Sequence, residues 1–227
     1  MVGEHQAQGR KGAGMNALQI FDCEQGSDEW HECRRGVVTA SEFSKVLAKG
    51  EGKTRRSYMY TLAGERIAGR VEPGYSNQYM SRGKEDEAEA VLEYEALTGA
   101  IVTPCGFMRR GDVGCSPDGL VGKDGLIEAK TKNYDLHIAC IDKGDIPSTH
   151  VAQVQGALWV SQRQWLDFIS YSKGLPIFVK RVFPDLAYHA RLKAEIDDFL
   201  AEMNKTIARI GDYQLHTALR YSLRGAA

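Results

Sequence analysis

Two carboxylates and a lysine stand close together in the sequence, in an order that suits metal-assisted chemistry. Asp118 follows a Ser-Pro pair, and Glu128, Ala129 and Lys130 begin ten residues later. Mg²⁺ prefers carboxylate and backbone oxygens, water and phosphate oxygens as ligands. We therefore expect Asp118, Glu128 and the Ala129 carbonyl to bind two ions, about 4 Å apart, against a phosphodiester. We expect Lys130 to hold or deprotonate the attacking water, with its ammonium pKa lowered by the ions and by burial.

The segment between these groups predicts a β-hairpin that turns where Gly, Lys, Asp and Gly follow one another at residues 122–125. With the Lys and the Asp as the two turn residues, Asp118 is predicted to lie opposite Ala129. Because side chains alternate along a strand, Glu128 and Lys130 should share one face. A salt-bridged hairpin on the protein surface is the alternative that this short pattern leaves open on its own.

A third acid is expected from the helix predicted over residues 81–99, which is rich in Ala, Glu and Leu and closed by a glycine. At 100° per residue, Glu85 lies on the same face as Ala88, Leu92 and Ala96. This face predicts that Glu85 points into the protein, where a buried carboxylate needs a partner such as a cation. The alternative is an acid at a helix start that favours the helix dipole.

The segment 27–50 predicts two short helices joined by a turn at Gly36. Thr39 and Glu42 have the spacing of a capping box at the start of the second helix. A helix that starts there leaves backbone N–H groups free in its first turn.

The remaining segments predict a mixed sheet covered by helices. We expect a mobile basic loop over residues 50–56, a helix over 58–70 and a further helix capped near Ser148, followed by two strands. The closing helix carries an apolar side formed by Leu192, Ile196, Phe199, Met203 and Ile207. This order predicts an α/β fold with a mixed β-sheet flanked by helices.

The composition is that of an ordinary soluble globular protein. The 227 residues include 29 basic and 30 acidic side chains, so there is no overall basic excess of the kind that marks many nucleic-acid-binding proteins. No apolar run approaches the ~20 residues of a membrane helix, and we expect a cytosolic protein without a membrane partner. Residues 1–16 are predicted to be a flexible leader and residues 17–227 a single domain. The five cysteines lack the spacing of a zinc or iron–sulfur site and are predicted to be reduced thiols.

Three motifs, in this order along the chain, resemble those of a nuclease family. The segment 30–41, Trp-His-Glu-Cys-Arg-Arg-Gly-Val-Val-Thr-Ala-Ser, is similar to the N-terminal motif of the lambda-exonuclease-type, or YqaJ-like, phage recombination nucleases. The segment 116–130, with Ser-Pro-Asp-Gly and Glu-Ala-Lys, resembles the PD-(D/E)xK motif. The segment 153–159 resembles the Gln-x-x-x-Tyr motif of RecB-like nucleases, with Trp159 in place of Tyr. The resemblance spans about residues 22–183 and implies a restriction-endonuclease-like fold.

The resemblance also implies roles for individual residues. The catalytic and metal-binding carboxylates of that family match Glu85, Asp118 and Glu128, and its catalytic lysine matches Lys130. The residues that bind the 5′-terminal phosphate match Arg34, Ser41, Ser116 and Gln155. The residue types agree with this, because an arginine can make a bidentate charged contact, and Ser41 lies in the first turn of a predicted helix, where an anion is attracted. Trp30 is expected to be structural.

The activity of the family is implied by the resemblance alone. The resemblance implies a Mg²⁺-dependent 5′-to-3′ exodeoxyribonuclease, with Mn²⁺ as an alternative ion. Such an enzyme leaves 3′ overhangs for phage-type recombination. The resemblance implies a ring-shaped homotrimer on double-stranded DNA ends, a single-strand annealing protein as partner and the bacterial host cytoplasm as location. Arg55 and Arg56 are candidate contacts to the DNA backbone. An endonuclease or junction resolvase of the same fold and a catalytically silent DNA-binding module are the alternatives.

Overall fold

The computed structural model describes residues 17–48, 52–71 and 78–224, and it describes their side chains except over 78–85 and 215–224. The predicted leader, residues 1–16, lies outside the described residues. The described chain contains both helices and strands, in agreement with the α/β prediction.

The α-helices are α1 Asp28–Arg34, α2 Phe43–Val46, α3 Lys53–Ala68, α4 Gln78–Thr98, α5 Tyr134–Lys143, α6 Ser148–Ser161 and α7 Leu186–Arg224. The strands are β1 Gln19–Phe21, β2 Val38–Thr39, β3 Val102–Thr103, β4 Phe107–Arg110, β5 Val113–Cys115, β6 Gly119–Val121, β7 Gly125–Thr131, β8 Trp165–Tyr171 and β9 Phe178–Val182. The strands form two mixed sheets, in the orders β1-β4-β5-β2 and β3-β6-β7-β8-β9. The mixed α/β architecture is confirmed, with two sheets where the sequence predicted one.

Strand β7 lies in the middle of the five-stranded sheet and is covered on both faces. Leu126 packs in the larger core, whereas Ile127 and Ala129 pack in a second core against α4. The side chains of Glu128 and Lys130 form an ion pair, so they share the other face. The predicted alternation is confirmed. It places an acid and a base on a strand whose position is fixed by packing on both of its faces.

The turn between β6 and β7 is one residue longer than predicted. Val121 pairs with Gly125, so three residues form the turn, and the first of them is a glycine with φ +53°. Three-residue hairpin loops are common, and glycine adopts the left-handed region without strain. Continuing this register places Asp118 across from Glu128, so the prediction that it lies across from Ala129 is wrong.

Helix α4 ends at the predicted glycine but turns a different face inward. Ala90 and Tyr94 are buried, whereas Leu92 is 65% exposed. The face that also carries Ala88 and Ala96 is therefore the exposed one, and the prediction that it points inward is wrong. Alanines and apolar residues occur on both faces of this helix, so the pattern of small residues did not distinguish them.

Two tyrosines fix α4 to strand β8. The Tyr94 hydroxyl donates to Oδ2 of the buried Asp167 at 2.8 Å, and that carboxylate also accepts two hydrogen bonds from Arg181, each at 2.8 Å. Nearer the start of the helix, the Tyr171 hydroxyl donates to Glu89 Oε2 at 2.9 Å. The position of α4 on the sheet is thus set by directed hydrogen bonds as well as by packing.

The predicted turn at Gly36 is confirmed. Helix α1 before it is capped by Ser27, whose hydroxyl accepts the Trp30 N–H at 3.2 Å. Gly36 has φ +65°; its N–H donates to Glu65 Oε2 at 2.7 Å, and its carbonyl accepts from Arg66 Nε at 2.8 Å. Helix α3 therefore holds the turn that follows α1.

The second predicted helix begins with a 3₁₀ turn, Ala40–Glu42, which leads into the four-residue α2. The hydroxyl of Thr39 makes no cap and lies 3.3 Å from Ser41 Oγ. Glu42 forms an ion pair with Lys45. The predicted capping box is wrong because both of its side chains bond elsewhere.

Most of the predicted basic loop is helical. Lys53 begins α3, which packs against α7. The Arg55 guanidinium donates to Glu202 Oε2 at 2.6 Å and lies 5.2 Å from the centre of the Phe199 ring. These contacts hold α3 on α7 and give Arg55 a structural role, and its candidate role in DNA binding stays a prediction. Arg56 is exposed on the same helix, and its role stays a prediction.

Helix α7 closes the fold with the apolar side predicted from the sequence. Leu192, Ile196, Phe199 and Met203 are buried, and Ile207 packs at the edge of the same core. Although α7 has 39 residues, no helix in the described ranges is long and apolar enough to cross a lipid bilayer.

Candidate active site

A pocket of about 230 Å³ lies between the β6–β7 hairpin, helix α6 and the N-terminal segment. The acids and the lysine predicted to do the chemistry, Asp118, Glu128 and Lys130, all line it. Arg34, Ser41 and Ser116, three of the four predicted phosphate ligands, line it too. Two distant parts of the sequence therefore meet in one cavity.

The carboxylate of Glu128 is held in place by two donors. Its side chain is 3% exposed, and Oε1 accepts hydrogen bonds from Lys130 Nζ and Gln153 Nε2, each at 2.5 Å. Strand β7 supplies the acid and the lysine, and helix α6 supplies the glutamine. A carboxylate fixed in this way has a defined orientation before any ligand binds.

Burial shifts the pKa of each ionisable group of the pocket floor. Burial raises the pKa of Glu128 to about 8, the charge of Asp118 adds to the rise and Lys130 opposes it. Burial also raises the pKa of Asp118, against the effect of Lys130. For Lys130, burial lowers the pKa, but Glu128 and Asp118 outweigh it and the net pKa lies above its ordinary value. In the protein alone the two acids therefore outweigh burial, and the lowering expected from bound ions stays a prediction.

Asp118 is tied to the backbone beside Glu128. Its Oδ2 accepts the Ala129 N–H at 2.7 Å, and its own N–H donates to the Ile127 carbonyl at 3.2 Å. Ala129 lies just past the end of the β6–β7 ladder. Because the N–H and the carbonyl of a strand residue point to the same edge, the Ala129 carbonyl shares the edge occupied by Asp118. This placement suits its predicted role as a ligand.

The predicted phosphate site is built around Ser116. Arg34 Nη1 donates to the Ser116 hydroxyl at 3.0 Å, and the Trp30 indole N–H donates to it at 2.9 Å. The guanidinium stacks on the Trp30 ring, 4.0 Å from its centre. Burial lowers the pKa of Arg34, which is the sign of a desolvated cation that an anion would stabilise.

Ser41 reaches the pocket because α6 lies very close to the 3₁₀ turn. A methyl group on Gly156 would lie 2.4 Å from the Phe43 ring and 3.2 Å from the Ala40 side chain, so only glycine permits this approach. The Ser41 hydroxyl is exposed and lies beside that of Thr39. Its position follows from helix packing, not from the capped helix start that the sequence predicted.

Gln155 lies outside the pocket. Its buried amide donates to the Phe183 carbonyl at 3.0 Å and accepts from the Asp185 N–H and from His189, each at 2.9 Å. Side chains two residues apart on a helix point about 200° apart, so Gln153 faces Glu128 instead. These contacts give Gln155 a structural role and do not support its phosphate-binding role, which stays a prediction.

Glu87 is the acid that α4 directs into the pocket. It lies on the buried face, three and seven residues before Ala90 and Tyr94, and it lines the pocket with Asp118. The side chain of Glu85 lies outside the described residues. The role of Glu85 therefore stays a prediction, and Glu87 is a further candidate for the third acid because it lines the pocket.

The donor set fits a hard divalent cation. The buried carboxylate of Glu128 and the half-buried carboxylate of Asp118 face a single ammonium group, and the carboxylate of Glu87 adds further negative charge beside them. Carboxylate and backbone oxygens are also the ligands that Mg²⁺ prefers. In the described part of the chain, no three acidic, histidine or cysteine side chains already enclose a point where an ion would sit.

Comparisons with known proteins identify the family. Residues 29–164 match the family described as the YqaJ-like viral recombinase domain. The chain belongs to this family. The alkaline exonuclease LHK-Exo from Laribacter hongkongensis is 35% identical in sequence, with a TM-score of 0.76 over 84% of this chain and 100% of that one. LHK-Exo in complex with dAMP gives 36% identity and a TM-score of 0.77, with the same coverage.

A more distant structure shares only the fold of this YqaJ-like protein. The phage-related exonuclease from Haemophilus somnus 129PT is 14% identical, with a TM-score of 0.61 over 77% of this chain and 96% of that one. No curated protein matches the sequence significantly. Family membership and the likeness to LHK-Exo show that the protein is a nuclease of the exonuclease type, with the mixed α/β fold expected from the sequence.

Sequence reasoning missed several residues of the YqaJ-like site. Gln25 donates to the carbonyls of Cys105 at 2.8 Å and Pro117 at 2.9 Å, so it braces the segment that leads into Asp118. No local pattern marks such a long-range contact. The sequence did contain a signal for Glu87. Tyr94 follows it by seven residues, or two helical turns, and a large aromatic side chain indicates the buried face of a helix better than alanine does.

Proposed function

We propose that this YqaJ-like protein is a Mg²⁺-dependent exodeoxyribonuclease that degrades one strand of linear double-stranded DNA, 5′ to 3′, from 5′-phosphorylated ends. One observation carries the proposal: the acids Asp118 and Glu128 and the Arg34–Ser116 pair line the same pocket of about 230 Å³. A single nucleotide separates a terminal phosphate from the first phosphodiester of the strand. Sites for both groups within one cavity therefore favour hydrolysis of the terminal linkage.

The phosphate site supports the choice of end. Arg34 supplies a charge, and Ser116 and Ser41 supply hydroxyl groups beside it. A 5′-phosphate can accept charge-assisted hydrogen bonds from these groups, whereas a 5′-hydroxyl cannot. Binding of the terminal phosphate would place the next linkage beside the acids and exclude the opposite end of the strand.

The acids and the lysine support the chemistry. Asp118, Glu128, Glu87 and the Ala129 carbonyl would hold Mg²⁺, with Mn²⁺ as an alternative ion. A bound divalent ion supplies positive charge that stabilises the phosphoryl group as it gains negative charge. Lys130 has a raised pKa and is an ammonium group at neutral pH. We infer that it donates to the oxygen of the attacking water and stabilises the charge that develops there.

The biological role follows from the product. Digestion from 5′ ends leaves 3′ single-stranded overhangs, which a single-strand annealing protein could pair in recombination. The description of the family as a viral recombinase domain supports this role. A homotrimer around the duplex and a location in the bacterial host cytoplasm remain predictions from the resemblance.

The proposal is tested with a linear duplex that carries a phosphate on one 5′ end and a hydroxyl on the other. Strand loss from the phosphorylated end only, dependent on Mg²⁺ and abolished by chelator, is the expected result. A covalently closed circle should stay intact. Cutting of the circle would indicate an endonuclease, and DNA binding without digestion under any condition would indicate a silent binding module.

A further inference from the structure

A second basic group, Lys132, follows Lys130 by two residues and has no part in the proposed chemistry. It lines a separate cavity of about 350 Å³, to which Asp86 of α4 also contributes. Lys132 directly follows β7, and its N–H donates to the Tyr171 carbonyl at 2.8 Å, so the pairing with β8 continues through it. By alternation it lies on the same face of the strand as Lys130. Its ammonium nitrogen lies 2.7 Å from Nε2 of His150, in the first turn of α6.

The charges around Lys132 leave it without an anionic partner. Burial lowers the pKa of His150 to about 4, and the charges of Lys132 and Lys130 add to this effect. The imidazole is therefore neutral, and its Nε2 accepts a hydrogen bond from the Lys132 ammonium group. Burial and the charge of Lys130 also lower the pKa of Lys132. Among the described residues, no carboxylate forms an ion pair with Lys132. Two ammonium groups on one strand face repel each other, and an anion between or beside them would relieve this repulsion.

Helix α6 shows on which side of the acids this group lies. His150 comes three residues before Gln153, and Ala157 comes four residues after it, or about 4.5 Å and about 6 Å along the helix axis. Gln153 bonds Glu128, and the Ala157 carbonyl lies 3.9 Å from the sulfur of Cys115, the neighbour of Ser116. Along α6, the Lys132–His150 pair and the contact to Cys115 therefore lie on opposite sides of Gln153, the residue that bonds Glu128.

We propose that Lys132, oriented by His150, binds the phosphodiester group on the 3′ side of the scissile linkage in the digested strand. This inference rests on the proposed function. A strand whose terminal phosphate sits at Arg34 and whose first linkage sits at Glu128 runs next toward Lys132. In this arrangement Lys132 is a binding residue, and His150 is a positioning residue that fixes the ammonium group.

The test measures the coupling between Lys132 and one phosphate. Binding of a 5′-phosphorylated duplex is measured by fluorescence anisotropy with Ca²⁺ in place of Mg²⁺, and a gel confirms that the DNA stays intact. A second duplex carries a neutral methylphosphonate at the second linkage from that end. For the native protein we expect this change to weaken binding about 10-fold or more, as for a lost charged hydrogen bond. For Lys132→Met we expect the same loss on normal DNA and no further loss on the modified duplex.

Two controls isolate the effect. Lys123→Met removes an exposed lysine at the other end of the same hairpin and should leave the methylphosphonate effect unchanged. A methylphosphonate at the second linkage of the complementary strand should affect native protein and Lys132→Met alike. Equal further losses for native protein and Lys132→Met on the modified duplex would overturn the inference, as would coupling to the complementary strand only.

The two proposals fail in different ways. A native protein that digests phosphorylated ends but shows no coupling at Lys132 contradicts this inference and leaves the proposed function intact. A native protein that shows the coupling but never digests DNA with Mg²⁺ contradicts the proposed function. The positioning role is tested by His150→Phe, which should reduce the coupling, and by His150→Gln, which keeps an acceptor and should restore most of it. Equal coupling in both variants would remove that role.

Discussion

The indole N–H of Trp30 donates to the Ser116 hydroxyl at 2.9 Å. Arg34 donates to the same oxygen, so both acceptor positions of this hydroxyl are filled. Its O–H group remains available to donate one hydrogen bond. Ser116 is thereby oriented as a donor toward the pocket. A residue that the sequence marked only as structural fixes the direction of one of the proposed phosphate contacts.

Trp30→Phe keeps an aromatic ring under Arg34 and removes the indole N–H, which donates to Ser116 and, at 3.2 Å, to the Gly106 carbonyl. We expect a loss of about 2- to 10-fold in the rate on 5′-phosphorylated ends, in line with one neutral hydrogen bond, and little change on 5′-hydroxyl ends. The rates are measured with the two duplexes in parallel. Trp159→Phe, a change beside the Phe43 ring in the core, is the matched control. The same loss on both kinds of end would contradict this role.

Arg34→Ala should act more strongly and with the same selectivity. Loss of a charged hydrogen bond corresponds to about 1.5 to 3 kcal/mol of transition-state stabilisation on phosphorylated ends. Arg34→Lys keeps the charge but not the planar fork, so it should recover only part of the rate. Equal losses on phosphorylated and hydroxyl ends would show that the arginine serves the fold and not the phosphate.

Asp118→Asn, Glu128→Gln and Lys130→Met should each nearly abolish Mg²⁺-dependent cleavage, with losses of about 100-fold or more. Each change is close in shape to the native side chain, so the melting temperature should stay near or above the native value. Glu93→Gln, on the exposed face of α4, controls for the loss of one acid. Retained cleavage in all three pocket variants would refute the site.

Glu87 and Glu85 are separated by a comparison of matched variants on one helix. We expect Glu87→Gln to raise the Mg²⁺ concentration that gives half-maximal activity, because Glu87 lines the pocket with the other acids. Glu85→Gln should leave this concentration unchanged. The reverse result would favour the original assignment and show that α4 presents another face in the active protein.

The stability of the metal-free protein should fall as the pH rises. The pKa of Glu128 is about 8 in the folded protein and 4.5 in an ordinary environment. Between these values the folded state binds more protons than the unfolded state, so the free energy of unfolding decreases from about pH 4.5 to pH 8 and then levels off. Urea titrations in chelator at several pH values should show this slope. Glu128→Gln should flatten it, and an unchanged slope in that variant would assign the effect to other groups.

Much of the site was predictable because it is local. The hairpin brings Asp118, Glu128 and Lys130 together within one short segment, and strand alternation fixes which side chains share a face. The one error in this segment, the register, arose because two- and three-residue turns differ by a single glycine conformation. The presence of a hairpin was therefore easier to predict than the register between its two strands.

The features that could not be predicted from the sequence are those that depend on packing between distant segments. Gln153 and Gln155 differ only in which helix face meets the sheet, and the contact of Arg55 with Glu202 depends on the position of α7. The inward face of α4 was decided by Tyr94 and its bond to Asp167. None of these outcomes follows from spacing, since each requires the position of a partner remote in the sequence.

The two tyrosines that fix α4 to β8 also bear on how the site assembles during folding. Asp118, Glu128 and Lys130 can approach one another as soon as the hairpin forms, whereas Glu87 arrives only when α4 has docked through Tyr94 and Tyr171. An ion that binds all three acids would therefore stabilise the docked helix in preference to the isolated hairpin. Amide hydrogen exchange would register this as added protection along α4, making that helix the reporter of a completed site.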